Sequence, residues 1–134
     1  MIWVKAFLAG FLATLIFHQG VMALFWLSGL VEQAPWNFSP VPPLGVPAVL
    51  SLAFWGGVWG LPLWWLIRRW QKIRYWLMAL ITGAVAPTAV AMLVVFPLKQ
   101  LDVTVQVIGG GLIVNGAWGI GVALIMVLLR GRTS

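Results

Sequence analysis

Residues 105–129 read VQVIGGGLIVNGAWGIGVALIMVLL, without one charged side chain. At about 1.5 Å per residue, a helix of this length crosses the ~30 Å of hydrocarbon in a lipid bilayer. Three further apolar runs of similar length occupy residues 6–30, 46–67 and 75–97. The sequence therefore predicts an all-α, polytopic membrane protein, in which a single domain over residues 1–134 contains four transmembrane helices.

The overall composition supports this prediction. Of the 134 residues, 63% are hydrophobic and 7% are charged, whereas a soluble domain of this size needs polar side chains over most of its surface. The net charge of +6 comes from basic residues in the short breaks between apolar runs, so it does not indicate a nucleic-acid partner. The predicted partners are the lipid bilayer and either another membrane protein or further copies of the chain.

The basic residues predict the orientation of the helices. Seven of the eight fall on one side of the membrane, and Lys99 falls on the other side with both acids, Glu32 and Asp102. The seven are Lys5, Arg68, Arg69, Lys72, Arg74, Arg130 and Arg132. Because basic residues accumulate on the cytoplasmic side, both termini are predicted to be cytoplasmic in a multi-pass protein of the bacterial inner (plasma) membrane.

A reporter fused after Ser134 tests this orientation. Green fluorescent protein at that position should fluoresce, and alkaline phosphatase at the same position should be inactive, because the fusion site is cytoplasmic. A phosphatase inserted in the loop of residues 31–47 is the matched control and should be active. An active phosphatase after Ser134 would overturn the predicted orientation.

Small residues at four-residue spacing predict where the helices meet. Glycine and other small side chains let two helix backbones approach closely in a membrane. The predicted packing positions are Gly10, Thr14, Ala53, Gly56, Gly60, Gly111 and Gly119. Residues 56–61 (GGVWGL) also resemble residues 115–120 (NGAWGI). Such a repeat would make the chain two similar helical hairpins, although six positions in glycine-rich sequence also align by chance.

Polar residues inside the apolar runs are the candidates for function. His18, Thr88 and Asn115 each lie about 20 Å from the predicted cytoplasmic edge, and Gln19 adjoins His18. We therefore predict a mid-membrane polar layer of these four residues. Hydrogen bonds that hold the helices in register are one interpretation. The alternatives are a path for transport or protons, and ligation of haem or another cofactor by His18.

No group in the sequence indicates catalysis. The chain has no cysteine, no phosphate-binding loop, no carboxylate pair in the membrane and no serine in a nucleophile motif. We therefore predict that the protein is not an enzyme. The sequence indicates no catalytic residue and no metal ligand, and it leaves any cofactor unknown.

Two segments outside the apolar runs are predicted to contact lipid or protein. The loop of residues 31–47 is rich in proline and should lie extended on the outer interface. Its Trp36, Phe38, Pro42 and Pro43 are predicted to meet lipid or a partner subunit. On the inner side, Arg68, Arg69, Lys72 and Arg74 are predicted to bind anionic lipid headgroups.

The stretch from residue 11 to residue 60 resembles small uncharacterised bacterial inner-membrane proteins with four helices. The resemblance rests on Phe17-His18-Gln19-Gly20, on the loop from Pro40 to Pro47, and on residues 52–60, LAFWGGVWG. It covers less than half of the chain, and it implies that the His-Gln-Gly and Trp-Gly-Gly segments belong together.

Two functions are open at this point. The first is an accessory or structural subunit that packs against a larger membrane complex or against its own copies. This hypothesis follows from the small size, the abundant tryptophan and the rigid loop. The alternative is a small oligomeric transporter or channel that uses His18, Thr88 and Asn115, and a haem- or cofactor-binding subunit is a further possibility.

Overall fold

The structure, a computed structural model, describes residues 1–42 and 44–130. Within these residues lie four helices long and apolar enough to cross a membrane. They are α1 (Ile2–Leu27), α2 (Ala48–Ile67), α3 (Lys72–Leu98) and α4 (Val105–Arg130). The prediction of an all-α protein with four transmembrane helices is therefore confirmed.

Helices α1 and α3 begin earlier than predicted, at Ile2 and Lys72 instead of residues 6 and 75. Two further boundaries are corrected by local backbone geometry. The first helix ends at Leu27, not at residue 30, because Gly29 adopts a left-handed conformation (φ 82°) and the Leu30 N–H bonds back to the Phe25 carbonyl. This is the hydrogen bond of a glycine-terminated helix. The second helix begins at Ala48, not at residue 46. The residues before it form an antiparallel strand pair of β1 (Pro40–Val41) and β2 (Val46–Pro47).

Two of the helices contain a π-helical segment, in which backbone hydrogen bonds span five residues instead of four. In α1 it comprises Thr14–His18, and in α3 it comprises Ala91–Val95. The ends of the helices lie at two opposite sides of the bundle. We call the side with Lys5 and Arg130 the basic end, and the side with the loops 28–47 and 99–104 the loop end.

The two helices of each hairpin meet at glycines. In the first hairpin, a Cβ added to Gly60 would lie 2.6 Å from the Ala6 carbonyl oxygen, and Gly10 lies against the backbone of Gly56. Any side chain at these positions would therefore separate α1 from α2. The two helices pack backbone to backbone, as small residues in membranes allow.

The second hairpin repeats this contact. Gly119 lies against the Ala79 carbonyl, and a Cβ added to Gly83 would lie 2.7 Å from the Gly119 Cα. Gly60 aligns with Gly119 in the sequence repeat. The two glycines also make equivalent contacts, each with the first helix of its own hairpin. The two hairpins are similar in packing as well as in sequence.

The hairpins join through α1 and α4. The Trp118 indole N–H donates to the Gly10 carbonyl (3.1 Å), and Gly121 lies under the ring of Phe17. The corresponding contact between α2 and α3 is more open. A cavity of about 80 Å³ lies there, lined by Trp59, Pro87 and also Trp118 of α4. The closely packed core is therefore in the basic half, around Trp64, Tyr75 and Met126 among others.

Candidate functional site

The π segment of α1 leaves one backbone carbonyl available to another part of the chain. The Gln19 N–H donates to the carbonyls of Thr14 and Ile16, and so it does not occupy the carbonyl of Leu15. In an α-helix, Gln19 would bond to Leu15, four residues earlier. The indole N–H of Trp36 takes this place and donates to the Leu15 carbonyl at 2.8 Å.

A second pair of hydrogen bonds holds Trp36 against the same helix. The backbone N–H of Trp36 donates to Oε1 of Gln19 (2.8 Å), and the Gln19 amide donates to Nδ1 of His18 (3.0 Å). Trp36 has a left-handed backbone (φ 51°), which is unusual for a bulky residue. We call these four residues, Leu15, His18, Gln19 and Trp36, the Trp36 clamp.

The clamp holds Trp36 of the loop alongside Gln19, about two helical turns before α1 ends at Leu27. From Lys5 to Gln19 the helix rises about 21 Å, which is less than the ~30 Å thickness of the hydrocarbon. The loop then turns into α2, where the Val49 N–H donates to the Asn37 carbonyl (2.8 Å). With Lys5 at the edge of the hydrocarbon, the non-helical backbone of Trp36 would therefore lie within it. Residues 33–38 line an open concavity of about 400 Å³.

The predicted polar layer forms two separate groups. His18 and Gln19 belong to the Trp36 clamp. Asn115 donates to the Thr88 hydroxyl at 2.8 Å, and this bond joins α3 to α4. Among the described residues, no hydrogen bond joins one group to the other. The Thr88 methyl also covers Gly111, 3.3 Å from the position of an added Cβ.

The bond between Thr88 and Asn115 should contribute modestly to stability. We expect a double-mutant cycle with Thr88→Val and Asn115→Ala to give a coupling free energy of about 0.6 kcal/mol, and at most ~1.7 kcal/mol, as for other hydrogen bonds between membrane helices. The measurement is reversible unfolding in mixed detergent micelles. The pair of Thr82→Val and Asn115→Ala is the control and should show no coupling. A Thr88–Asn115 coupling near zero would contradict the hydrogen bond.

The other predicted site residues lie at the two ends. At the loop end, Trp36 is 43% exposed and Phe38 is 68% exposed. Pro42 is exposed, and Pro43 lies outside the described residues. The predicted headgroup residues Arg68, Arg69, Lys72 and Arg74 are all exposed at the basic end. The predicted packing residues Ala53 and Thr14 are buried, and Thr14 donates to the Gly10 carbonyl (2.9 Å).

The loop half of the bundle is more loosely packed than the basic half. Nothing lies within 4 Å of a Cβ added to Gly20 or Gly109, and Gly110 has only the edge of Phe25 at 3.9 Å. Beyond Val90, α3 makes hardly any contact with the other helices. The glycines of the basic half pack against neighbouring helices, whereas these three do not.

Comparison with protein families, curated proteins and solved structures finds no match to this chain. The resemblance of residues 11–60 to small bacterial inner-membrane proteins stays a prediction. The loop end, with the Trp36 clamp and its unpacked glycines, is the part of the molecule whose geometry is not explained by packing within the chain. It is the candidate functional site.

Proposed function

We propose that this protein is a non-catalytic accessory subunit of the bacterial inner membrane, and that its loop end docks onto another membrane protein or onto further copies of the chain. The observation that carries the proposal is that the Trp36 clamp holds non-helical loop backbone against Leu15 and Gln19 of α1, at a level that a bilayer would cover. The four helices, long and apolar enough to cross a membrane, are compatible with an integral membrane protein.

The physical reason lies in the solvent. Hydrocarbon offers no hydrogen bonds, so non-helical backbone at membrane depth is stable only where protein or a water-filled cavity covers it. Residues 32–34 and 36–40 are exposed in the single chain. A partner subunit supplies the cover, and a loop preorganised by Trp36 and several prolines loses little conformational entropy on binding.

The unpacked helix surfaces support the same conclusion. Glycine on a helix surface serves close approach of a second helix in membranes, and Gly20, Gly109 and Gly110 have no such neighbour within the chain. All three are in the half that carries the clamp. The last part of α3 (Ala91–Val95 and the turn after it) offers a further apolar surface against which no other helix of the chain packs closely.

Photo-crosslinking in native membranes tests the proposal. A photoreactive amino acid at Phe38 should give a protein adduct of defined mass, because this side chain is 68% exposed at the loop end. The matched control is Leu128, which is 69% exposed near the basic end. The same reagent at Leu128 should label mainly lipid.

The mass of the adduct identifies the kind of partner. An adduct of twice the mass of the chain indicates a homo-oligomer, and an adduct with an unrelated protein indicates a subunit of a larger complex. Lipid labelling at both Phe38 and Leu128, with no protein adduct at either, would overturn the proposal.

Substitution of His18 separates this proposal from transport and cofactor binding. His18→Leu removes the bond to Gln19 and should lower the thermal stability of the purified protein slightly, while the Phe38 adduct still forms. Under this proposal the purified protein should also be colourless. A solute or proton flux in vesicles that is lost in His18→Leu would favour the transport alternative, and a pigmented protein would favour haem.

A further inference from the structure

Three buried N–H donors at the basic end have no hydrogen-bond acceptor among the described residues. They are the indole N–H groups of Trp64 and Trp70 and the Nε–H of Arg130. Trp64 is only 3% exposed, and the Arg130 guanidinium carbon lies 4.8 Å from the centre of its ring. Trp70 packs against the same core cluster as Trp64. A buried donor without an acceptor is costly, and a guanidinium more so.

Among residues 1–42 and 44–130, the same end has positive side chains and no negative ones. Lys5 donates to the Leu129 carbonyl at 3.2 Å, so its ammonium lies at the same helix end as Arg130. The chain has two acidic side chains, Glu32 and Asp102, and both are in the loops of the loop end. No carboxylate side chain of the chain is therefore available to neutralise Arg130.

We propose that Arg130, Trp64 and Trp70 form a binding site for the phosphate of an anionic phospholipid headgroup. A phosphate offers several strong acceptor oxygens, and a planar guanidinium binds it with two parallel N–H bonds. The Trp64 ring fixes the plane of the guanidinium through a cation–π contact. Lys5 adds a second positive charge at the same helix end.

The position in the bundle favours a lipid over a soluble anion. Arg130 is the last residue of α4, and Trp70 lies in the turn between α2 and α3. These are the levels at which headgroups meet membrane helices, and basic pockets between helices bind headgroups there. Arg69 differs, because it lies on the exposed ring of Trp65. It attracts anionic lipid only as a surface charge.

The site can be tested by titrating the purified protein in neutral detergent micelles with phosphatidylglycerol and following its melting temperature. The expected result is a saturable rise that phosphatidylcholine does not reproduce. Arg130→Gln should weaken the apparent affinity about tenfold, as loss of a charged hydrogen-bonding partner does. Arg69→Gln removes the same charge from the same end and should change the affinity less than about twofold.

A variant that keeps the fold isolates the indole donor. Trp64→Phe retains a ring beneath Arg130 but has no N–H, and it should weaken phosphatidylglycerol binding by a smaller factor than Arg130→Gln. Equal losses in Arg69→Gln and Arg130→Gln would show a diffuse charge effect and would overturn the site. An equal rise in melting temperature with inorganic phosphate alone would overturn the lipid as the ligand.

Discussion

Replacing Gly119 with leucine should prevent the second hairpin from closing. A Cβ at this position would lie against the Ala79 carbonyl and 3.1 Å from the Gly83 Cα, so a whole leucine side chain has no space. Both neighbours are backbone, which cannot move aside as a side chain can. Overpacking of a core costs typically 1–3 kcal/mol, and we expect at least about 3 kcal/mol here because the helices must separate.

The measurement is unfolding in mixed micelles, with Gly109→Leu as the control. Both substitutions add the same side chain to α4, but a Cβ at Gly109 has nothing within 4 Å. In the purified single chain, Gly109→Leu should therefore change the free energy of unfolding by less than ~0.5 kcal/mol. Similar losses in the two variants would contradict the glycine contact.

The second large effect is expected for Trp118→Ala. The indole is 3% exposed, and its N–H donates to the Gly10 carbonyl, so the side chain links α4 to α1. Its removal leaves a cavity between the hairpins and deletes one buried hydrogen bond. Deletion of a buried aromatic ring costs about 3–5 kcal/mol, and we expect about 3 kcal/mol, because lipid is as apolar as the helix interior.

Trp59 provides the matched control, because it occupies the equivalent position in the first hairpin. Both indoles border the cavity between the hairpins, but Trp59 is only partly buried whereas Trp118 is 3% exposed. Trp59→Ala should therefore cost about 1 kcal/mol, roughly a third of the loss in Trp118→Ala. A larger loss in Trp59→Ala would show that α2 and α3, and not α1 and α4, carry the contact between hairpins.

The helices and their packing faces could be predicted because both depend on local composition. Long apolar runs are required to span hydrocarbon, and small residues at regular spacing are required for close packing. Gly10, Gly56, Gly60 and Gly119 all lie in contacts between helices. The pairing of Gly10 with Gly56 and of Gly83 with Gly119 could not be predicted, since composition does not say which faces meet.

The Trp36 clamp could not be predicted either, for a different reason. A π segment arises when one extra residue is accommodated within an α-helix, and no particular residue type marks it. The carbonyl of Leu15 becomes available only in that geometry, and Trp36 reaches it from a loop that is distant in sequence. His18, Thr88 and Asn115 were predicted to form one polar layer because they lie at a similar distance from the cytoplasmic edge. Depth does not fix the direction of a side chain around its helix, and their hydrogen bonds form two groups.

The repeated glycine contacts bear on how the chain is assembled during synthesis. Each hairpin contains both sides of its own contact, Gly10 with Gly56 and Gly83 with Gly119. The first hairpin can therefore close in the membrane while α3 and α4 are still being made, because helices that are already inserted associate side by side. The bond from Trp118 to Gly10 has to wait for the last helix. Docking of the two halves through α1 and α4 is therefore possible only after α4 has been made.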